Sequence, residues 1–291
     1  MLNKLLNKSS NYLSLVKFAH TVFALPFALI GFSLAIHITP DAFSYWLLLE
    51  VLLCMVFARN AAMAFNRYAD RDIDKKNPRT AVREIPSEVI KPKSALFFVI
   101  LNSVLFVATT YFINPLVFYL SPVALLIVLG YSYAKRFTWL AHLILGLGLS
   151  LAPIGAYLAV TDRFDILPLL YSFIVLFWVA GFDIIYALQD EEFDKSQNLK
   201  SIPVIMGKRS ALNFSSFLHS LTIAFVIIAG VMGDGKVLFW IGAAIFIALL
   251  IYQHFLVKPN DLSKVNLAFF TTNGIASVVF AGFVVGDMFL L

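Results

Sequence analysis

Residues 42–74 read AFSYWLLLEVLLCMVFARNAAMAFNRYADRDID, an apolar run over 42–65 that closes on Asn66, Asp70, Asp72 and Asp74. At 1.5 Å per residue such a run is long enough, as a helix, to cross a hydrocarbon layer of about 30 Å. Spanning runs recur near 13–37, 94–113, 116–134, 138–160, 166–189, 211–231, 235–256 and 265–290. Backbone polar groups in lipid must be satisfied within the segment, and these runs are too long and too evenly apolar for barrel strands. The expected fold is therefore all-α and integral to the membrane, with nine helices in one bundle.

Composition agrees. Of 291 residues 60% are hydrophobic and 13% charged, and mean hydropathy is +0.86, outside the range of soluble domains. No long polar stretch divides the chain, so residues 1–291 read as one transmembrane domain. The start, with Lys4 and Lys8 before an apolar stretch, resembles a signal peptide; the apolar part continues to Ile36 without a small-residue cleavage site and reads as a retained first helix. Cys54, the single cysteine, excludes an internal disulfide and a cysteine-based metal site. The net charge of +5 does not point to nucleic acid, because the cations sit in short loops beside apolar spans. Eighteen of the 22 Lys and Arg lie at the N-terminus and in the loops after the even-numbered spans. The positive-inside rule then places those segments in the cytoplasm.

The acidic cluster is patterned. Asn66, Asp70 and Asp74 follow i, i+4 spacing and form one helical stripe. A second stripe, Asp183, Tyr186, Asp190 and Asp194, closes the sixth span, with Asp190 and Asp194 lying 120 residues after Asp70 and Asp74. This repeat divides the chain into two four-helix halves of parallel topology plus a ninth helix. Carboxylates stacked at i, i+4 repel one another, so a cation should sit between them. Oxygen-only ligands suit Mg²⁺, which completes its shell with water and substrate phosphate. Asn66, Asp70, Asp74, Asp190 and Asp194 are the candidate metal ligands, and the four aspartates the candidate catalytic residues. The competing reading, solvated helix ends neutralised by Arg67, Arg71, Lys75 and Lys76, does not explain two clusters with matching spacing.

Cationic loops follow both stripes. Arg79 and Arg83 after the first and Lys200 after the second are candidates to hold a diphosphate. Arg59, two turns before Asn66 on the same stripe, lies inside a span, where an arginine costs roughly 2.5–3.5 kcal/mol unless it faces a polar cavity. It should line the site, against either an acceptor carboxylate or the diphosphate. Lys17 and His20 in the first span, with Asp183 and Tyr186, complete the candidate acceptor residues. His142, His219 and His254 read as isolated packing residues.

These residues together resemble the UbiA superfamily of intramembrane prenyltransferases. The paired aspartate motifs match, as do the run Asn77-Pro-Arg-Thr-Ala-Val-Arg-Glu-Ile-Pro86, the pair Lys200-Ser201 and the position of Arg59. The first span, Lys17-Phe-Ala-His20-Thr-Val-Phe-Ala-Leu-Pro26-Phe, is similar to the 4-hydroxybenzoate polyprenyltransferase-like branch, including members of the futalosine route to menaquinone. The chain departs from the pattern at Arg67, where many members have Asp, at Glu84, where Pro is frequent, and at Glu88, where Gly is common. The resemblance implies Mg²⁺-dependent transfer of a polyprenyl group from its diphosphate to an aromatic acceptor in quinone biosynthesis, in the bacterial inner membrane with the site facing the cytoplasm. It leaves the acceptor open among 4-hydroxybenzoate, a naphthoate and a futalosine-derived ring. A cation transporter is the rival reading, disfavoured because the carboxylates gather at one membrane face and not at the midplane.

Overall fold

The computed structural model describes residues 11, 12, 14–16 and 23–291. Lys17 and His20 lie outside the described residues. The described chain is helical. α1 (Leu25–Ile38) leads to α2 (Tyr45–Ala69), a short α3 (Arg71–Asp74), α4 (Pro92–Ile113) and α5 (Pro115–Phe137). The second half holds α6 (Ala141–Thr161), α7 (Ile166–Ala187), a short α8 (Glu191–Ser196), α9 (Ile202–Met232), α10 (Val237–Leu256) and α11 (Asn273–Leu290). Among the described residues eight helices are long and apolar enough to cross a membrane, and α1 is a shorter apolar helix beside them.

Polar caps set several helix starts. Ser44, Asn114 and Ser201 accept backbone N–H bonds from Trp46, Val117 and Val204, supplying acceptors that lipid cannot. The run read as beginning near 211 starts instead at Ile202, and its helix is broken at Gly207, whose φ of 74° only glycine adopts freely. Glu88, in the loop after the first acidic cluster, also lies in the left-handed region at φ 64°. That is the conformation a glycine would hold there without strain.

The helices meet through small residues and one aromatic core. A Cβ at Gly31 would lie 2.0 Å from the Pro153 carbonyl oxygen, so glycine is what lets α1 rest on α6. Gly146 does the same for α6 on α7, where a Cβ would meet the Leu176 carbonyl oxygen at 2.3 Å. Phe27, Trp178, Phe246 and Phe280, from α1, α7, α10 and α11, are fully buried against one another, with Phe246 and Phe280 centroids 4.9 Å apart. By contrast α2, α4 and α5 bury few side chains, and together with α6 they line an apolar cavity of about 330 Å³.

Candidate active site

Both acidic stripes break where a continuous helix was expected. α2 stops at Ala69, Asp70 takes φ −94°, ψ 6°, and α3 restarts at Arg71. α7 stops at Ala187, a 3-10 turn covers Leu188–Asp190, Asp190 takes φ −100°, ψ 0°, and α8 restarts at Glu191. Two aspartates 120 residues apart thus occupy the same sparsely populated backbone region, one where many active-site residues sit. The ladder survives the first break, with Asp74 N–H donating to the Asp70 carbonyl at 2.7 Å.

These breaks bring the predicted ligands together. Asn66, Asp70, Asp74, Asp190 and Asp194 line one polar cavity of about 240 Å³ with Asp183, Tyr186, Arg59, Arg79 and Arg83. Each metal-motif aspartate already faces a cation. Arg136 reaches Asp70 at 3.2 Å, Arg83 grips both oxygens of Asp74 at 2.7 and 2.8 Å, and Arg79 forks onto both oxygens of Asp190. Lys135 stands 3.6 Å from Asp194. Arg79 also donates to the Tyr186 hydroxyl at 3.1 Å, and Asn77 donates to Asp190. Burial pushes the Asp70 carboxyl up from its ordinary value, with Lys135 and Arg136 pulling the other way. Burial also opposes the charge of Arg79, but its bonds to Asp190 outweigh that and hold the guanidinium above its ordinary value.

Lys200, expected on the diphosphate, does not line this cavity. Its exposed ammonium donates to the Phe137 carbonyl at 3.2 Å, and its backbone N–H to the Lys135 carbonyl at 2.7 Å. Lys135 and Arg136 do line it, pairing with Asp194 and Asp70. They close a span at its charged end, where topology alone accounts for their sign, so the sequence carries no sign of their contacts. Arg67, the departure from the motif, is buried, lines the cavity and keeps an Nε without a hydrogen bond.

Arg59 sits where two cavities meet. It, Met63, Tyr131, Leu145 and Leu149 line both the polar cavity and the apolar one. Its Nε is buried without a hydrogen-bond partner, and no carboxylate pairs with it among the described residues. The histidines read as isolated are not. His142 Nδ1 lies 2.7 Å from Asp183 Oδ2, and His219 Nδ1 lies 2.7 Å from His254 Nε2.

Comparison with known proteins decides the family at this point. The profile of the UbiA prenyltransferase family matches residues 24–275. The chain belongs to that family. A 4-hydroxybenzoate octaprenyltransferase of Aeromonas hydrophila is 29% identical over 243 residues, 82% of this chain and 83% of the relative. One from Francisella tularensis subsp. novicida is 28% identical over 247 residues, 85% of this chain and 86% of the relative. The apo structure of a UbiA homolog from Aeropyrum pernix K1 superposes with TM-score 0.78 at 29% identity, covering 93% of this chain and 97% of the other. A UbiA homolog from Archaeoglobus fulgidus bound to DMAPP and Mg²⁺ shares the fold, with TM-score 0.76 at 23% identity over 97% of this chain and all of the other. The family member described here is thus a multi-span membrane prenyltransferase.

The donor set can be tested against Mg²⁺ on the geometry itself. Among the described residues no three His, Cys, Asp or Glu side chains stand close enough to hold a metal ion, since each aspartate turns to its own cation. Yet all the oxygen ligands line one cavity, and Asp194 Oδ2 is buried there with no hydrogen bond. The residues fit a hard cation, for which the aspartates would have to exchange their arginines and lysine.

Proposed function

We propose that this protein transfers a polyprenyl group from an allylic polyprenyl diphosphate to an aromatic acceptor bearing a carboxylate, such as 4-hydroxybenzoate, in quinone biosynthesis. The observation that carries this reading is the junction at Arg59, where a polar cavity with five aspartates opens onto an apolar one. One substrate must have a diphosphate head and a hydrocarbon tail. Asn66, Asp70, Asp74, Asp190 and Asp194 would hold Mg²⁺, whose charge, when bound, neutralises the departing diphosphate.

Arg79 and Arg83, released from Asp190 and Asp74, are placed to grip the phosphate oxygens with forked, charge-assisted hydrogen bonds. The tail lies in the apolar cavity, where Val51, Met55 and Leu120 among its lining exclude the water that would quench an allylic cation. Arg59, at the junction and without a carboxylate partner among the described residues, takes the acceptor carboxylate, and Tyr186 and Asp183 line the same cavity. A fused-ring carboxylate meets the same guanidinium, so this geometry serves the futalosine-derived and naphthoate acceptors as well. The cation-rich loops and this cavity face the cytoplasm of the inner membrane on the charge count. Purified protein in lipid nanodiscs with Mg²⁺, labelled prenyl diphosphates of several lengths and a panel of aromatic carboxylates tests the reading. Prenylation of one panel member, abolished by EDTA, is the expected result; equal turnover without a divalent metal overturns it.

A further inference from the structure

Asp183 differs from the other carboxylates of the polar cavity. Five aspartates line it, and four are paired with an arginine or a lysine. The fifth, Asp183, is paired with the His142 imidazole at 2.7 Å and keeps 20% of its side chain exposed toward the cavity. It lies seven residues, about two helical turns or ~10 Å, before Asp190 on α7. That places it below the diphosphate end and beside Tyr186, Leu145 and Leu149, toward the apolar junction.

The imidazole has one consistent protonation. His142 is fully buried at the start of α6, and its Nε2 has no hydrogen-bond partner among the described residues. A buried N–H left without an acceptor is costly, and a bare ring nitrogen is the cheaper group to leave unpaired in an apolar surround. The proton therefore belongs on Nδ1, which donates to Asp183 Oδ2, and the carboxyl oxygen is the acceptor. The close approach of α6 and α7 at Gly146, one turn beyond His142, sets this contact. The charged or titratable groups facing the pair from α5 are Lys135 and Tyr131, and from α8 Asp194 acts on His142.

Prenylation of an aromatic carbon needs such a group. The C–O bond of the donor breaks and its electron pair leaves with diphosphate. A ring π pair forms the new C–C bond to the allylic carbon, and the alkylated ring then carries one proton too many. Returning the C–H pair to the ring restores aromaticity and hands that proton to a base. The other four carboxylates are committed to cations. On the reading that the acceptor is aromatic, we propose that Asp183 is the base that removes this ring proton, with His142 as the positioning residue that orients its carboxylate. The products are prenylated arene, diphosphate and a proton that leaves through the polar mouth.

The test uses full-length protein in nanodiscs with Mg²⁺, comparing wild type, Asp183→Asn, His142→Phe and His142→Asn. Binding of an unreactive prenyl thiolodiphosphate checks the donor site and the fold in each. Asp183→Asn should bind this analogue as wild type does while kcat falls by about 10²-fold or more. His142→Phe should lower kcat while analogue binding stays at the wild-type level. It should also raise the primary isotope effect for an acceptor deuterated at the alkylated ring carbon. His142→Asn, whose amide N–H can stand where Nδ1–H does, should restore both readouts. An Asp183→Asn protein within threefold of wild-type kcat, or a His142→Phe protein with unchanged kcat and isotope effect, overturns the assignment. If wild type binds no analogue or prenylates no aromatic acceptor, the underlying reading fails and this one falls with it.

Discussion

The first acidic motif and the second share a backbone and differ in who neutralises them. Asp70 and Asp190 sit at matching helix breaks, each followed within four residues by a second aspartate. In the first half Asp70 and Asp74 are held by Arg136 and Arg83, from the same half. In the second, Asp190 and Asp194 are held by Arg79 and Lys135, which also come from the first half. One half supplies all four cations, so half of the pairs stitch the two halves together across the mouth of the cavity. A repeat that duplicated both acids and bases would have closed each half on itself. The asymmetry leaves the acids facing one another across a single space, the polar cavity that all four line.

The largest expected effect concerns the shared part of the comparison. Asp70→Ala or Asp190→Ala should lower prenyl transfer by roughly 10²- to 10³-fold or more, as for loss of a group that stabilises developing charge. Both should retain wild-type helical content by circular dichroism. If the two motifs do one job, the two losses should be similar. A tenfold gap between them would show that the halves have separate roles despite their matching backbones.

Arg59 probes the boundary between the cavities and comes next in size. It has no carboxylate partner of its own among the described residues, unlike Arg79 and Arg83. Loss of a charge-assisted contact made equally in ground and transition states raises KM and leaves kcat unchanged. Arg59→Ala should therefore raise the KM of a carboxylate acceptor by about 10- to 100-fold, with the donor KM little changed. Lysine should recover only part of this, since it lacks the planar fork. A rise in donor KM would move Arg59 to the diphosphate.

Lys135 tests the stitching itself. Lys135→Met leaves Asp194 buried without its cation, which should cost about 1–3 kcal/mol of stability. A thermal melt with and without Mg²⁺ separates the two states. If the metal replaces the lysine at Asp194, Mg²⁺ should stabilise the variant more than the wild type. An equal Mg²⁺ response in both would detach Asp194 from the metal site.

Much of this arrangement is legible in the residues. The apolar runs show the helices because in lipid length and hydropathy leave few alternatives, and the i, i+4 spacing shows the paired carboxylates. The breaks at Asp70 and Asp190 are not legible, since nothing in Asn66–Asp74 interrupts a helical pattern. Nor are the partners. His142 and Asp183 are 41 residues apart and meet only because Gly146 lets α6 approach α7. Lys135 and Arg136 look like ordinary loop charge until α5 is placed beside α2 and Lys135 meets Asp194 of α8. Conversely Lys200, which the motif resemblance singles out, points elsewhere.

Lys200 supplies the smallest effect and the finest test of the asymmetry. Its ammonium is exposed and its bond to the Phe137 carbonyl is at the surface, where such contacts contribute little. Its backbone N–H, bonded to the Lys135 carbonyl, is kept whatever the side chain. Lys200→Ala should therefore change stability by no more than about 0.5 kcal/mol and the donor KM by no more than about twofold, measured with wild type and Lys135→Met in parallel. A donor KM raised about tenfold, equivalent to ~1.4 kcal/mol of lost contact, would mean that the loop after Asp194 turns its lysine onto the bound diphosphate. The second half would then contribute a cation after all, and the one-sided supply of charge would describe only the ligand-free molecule.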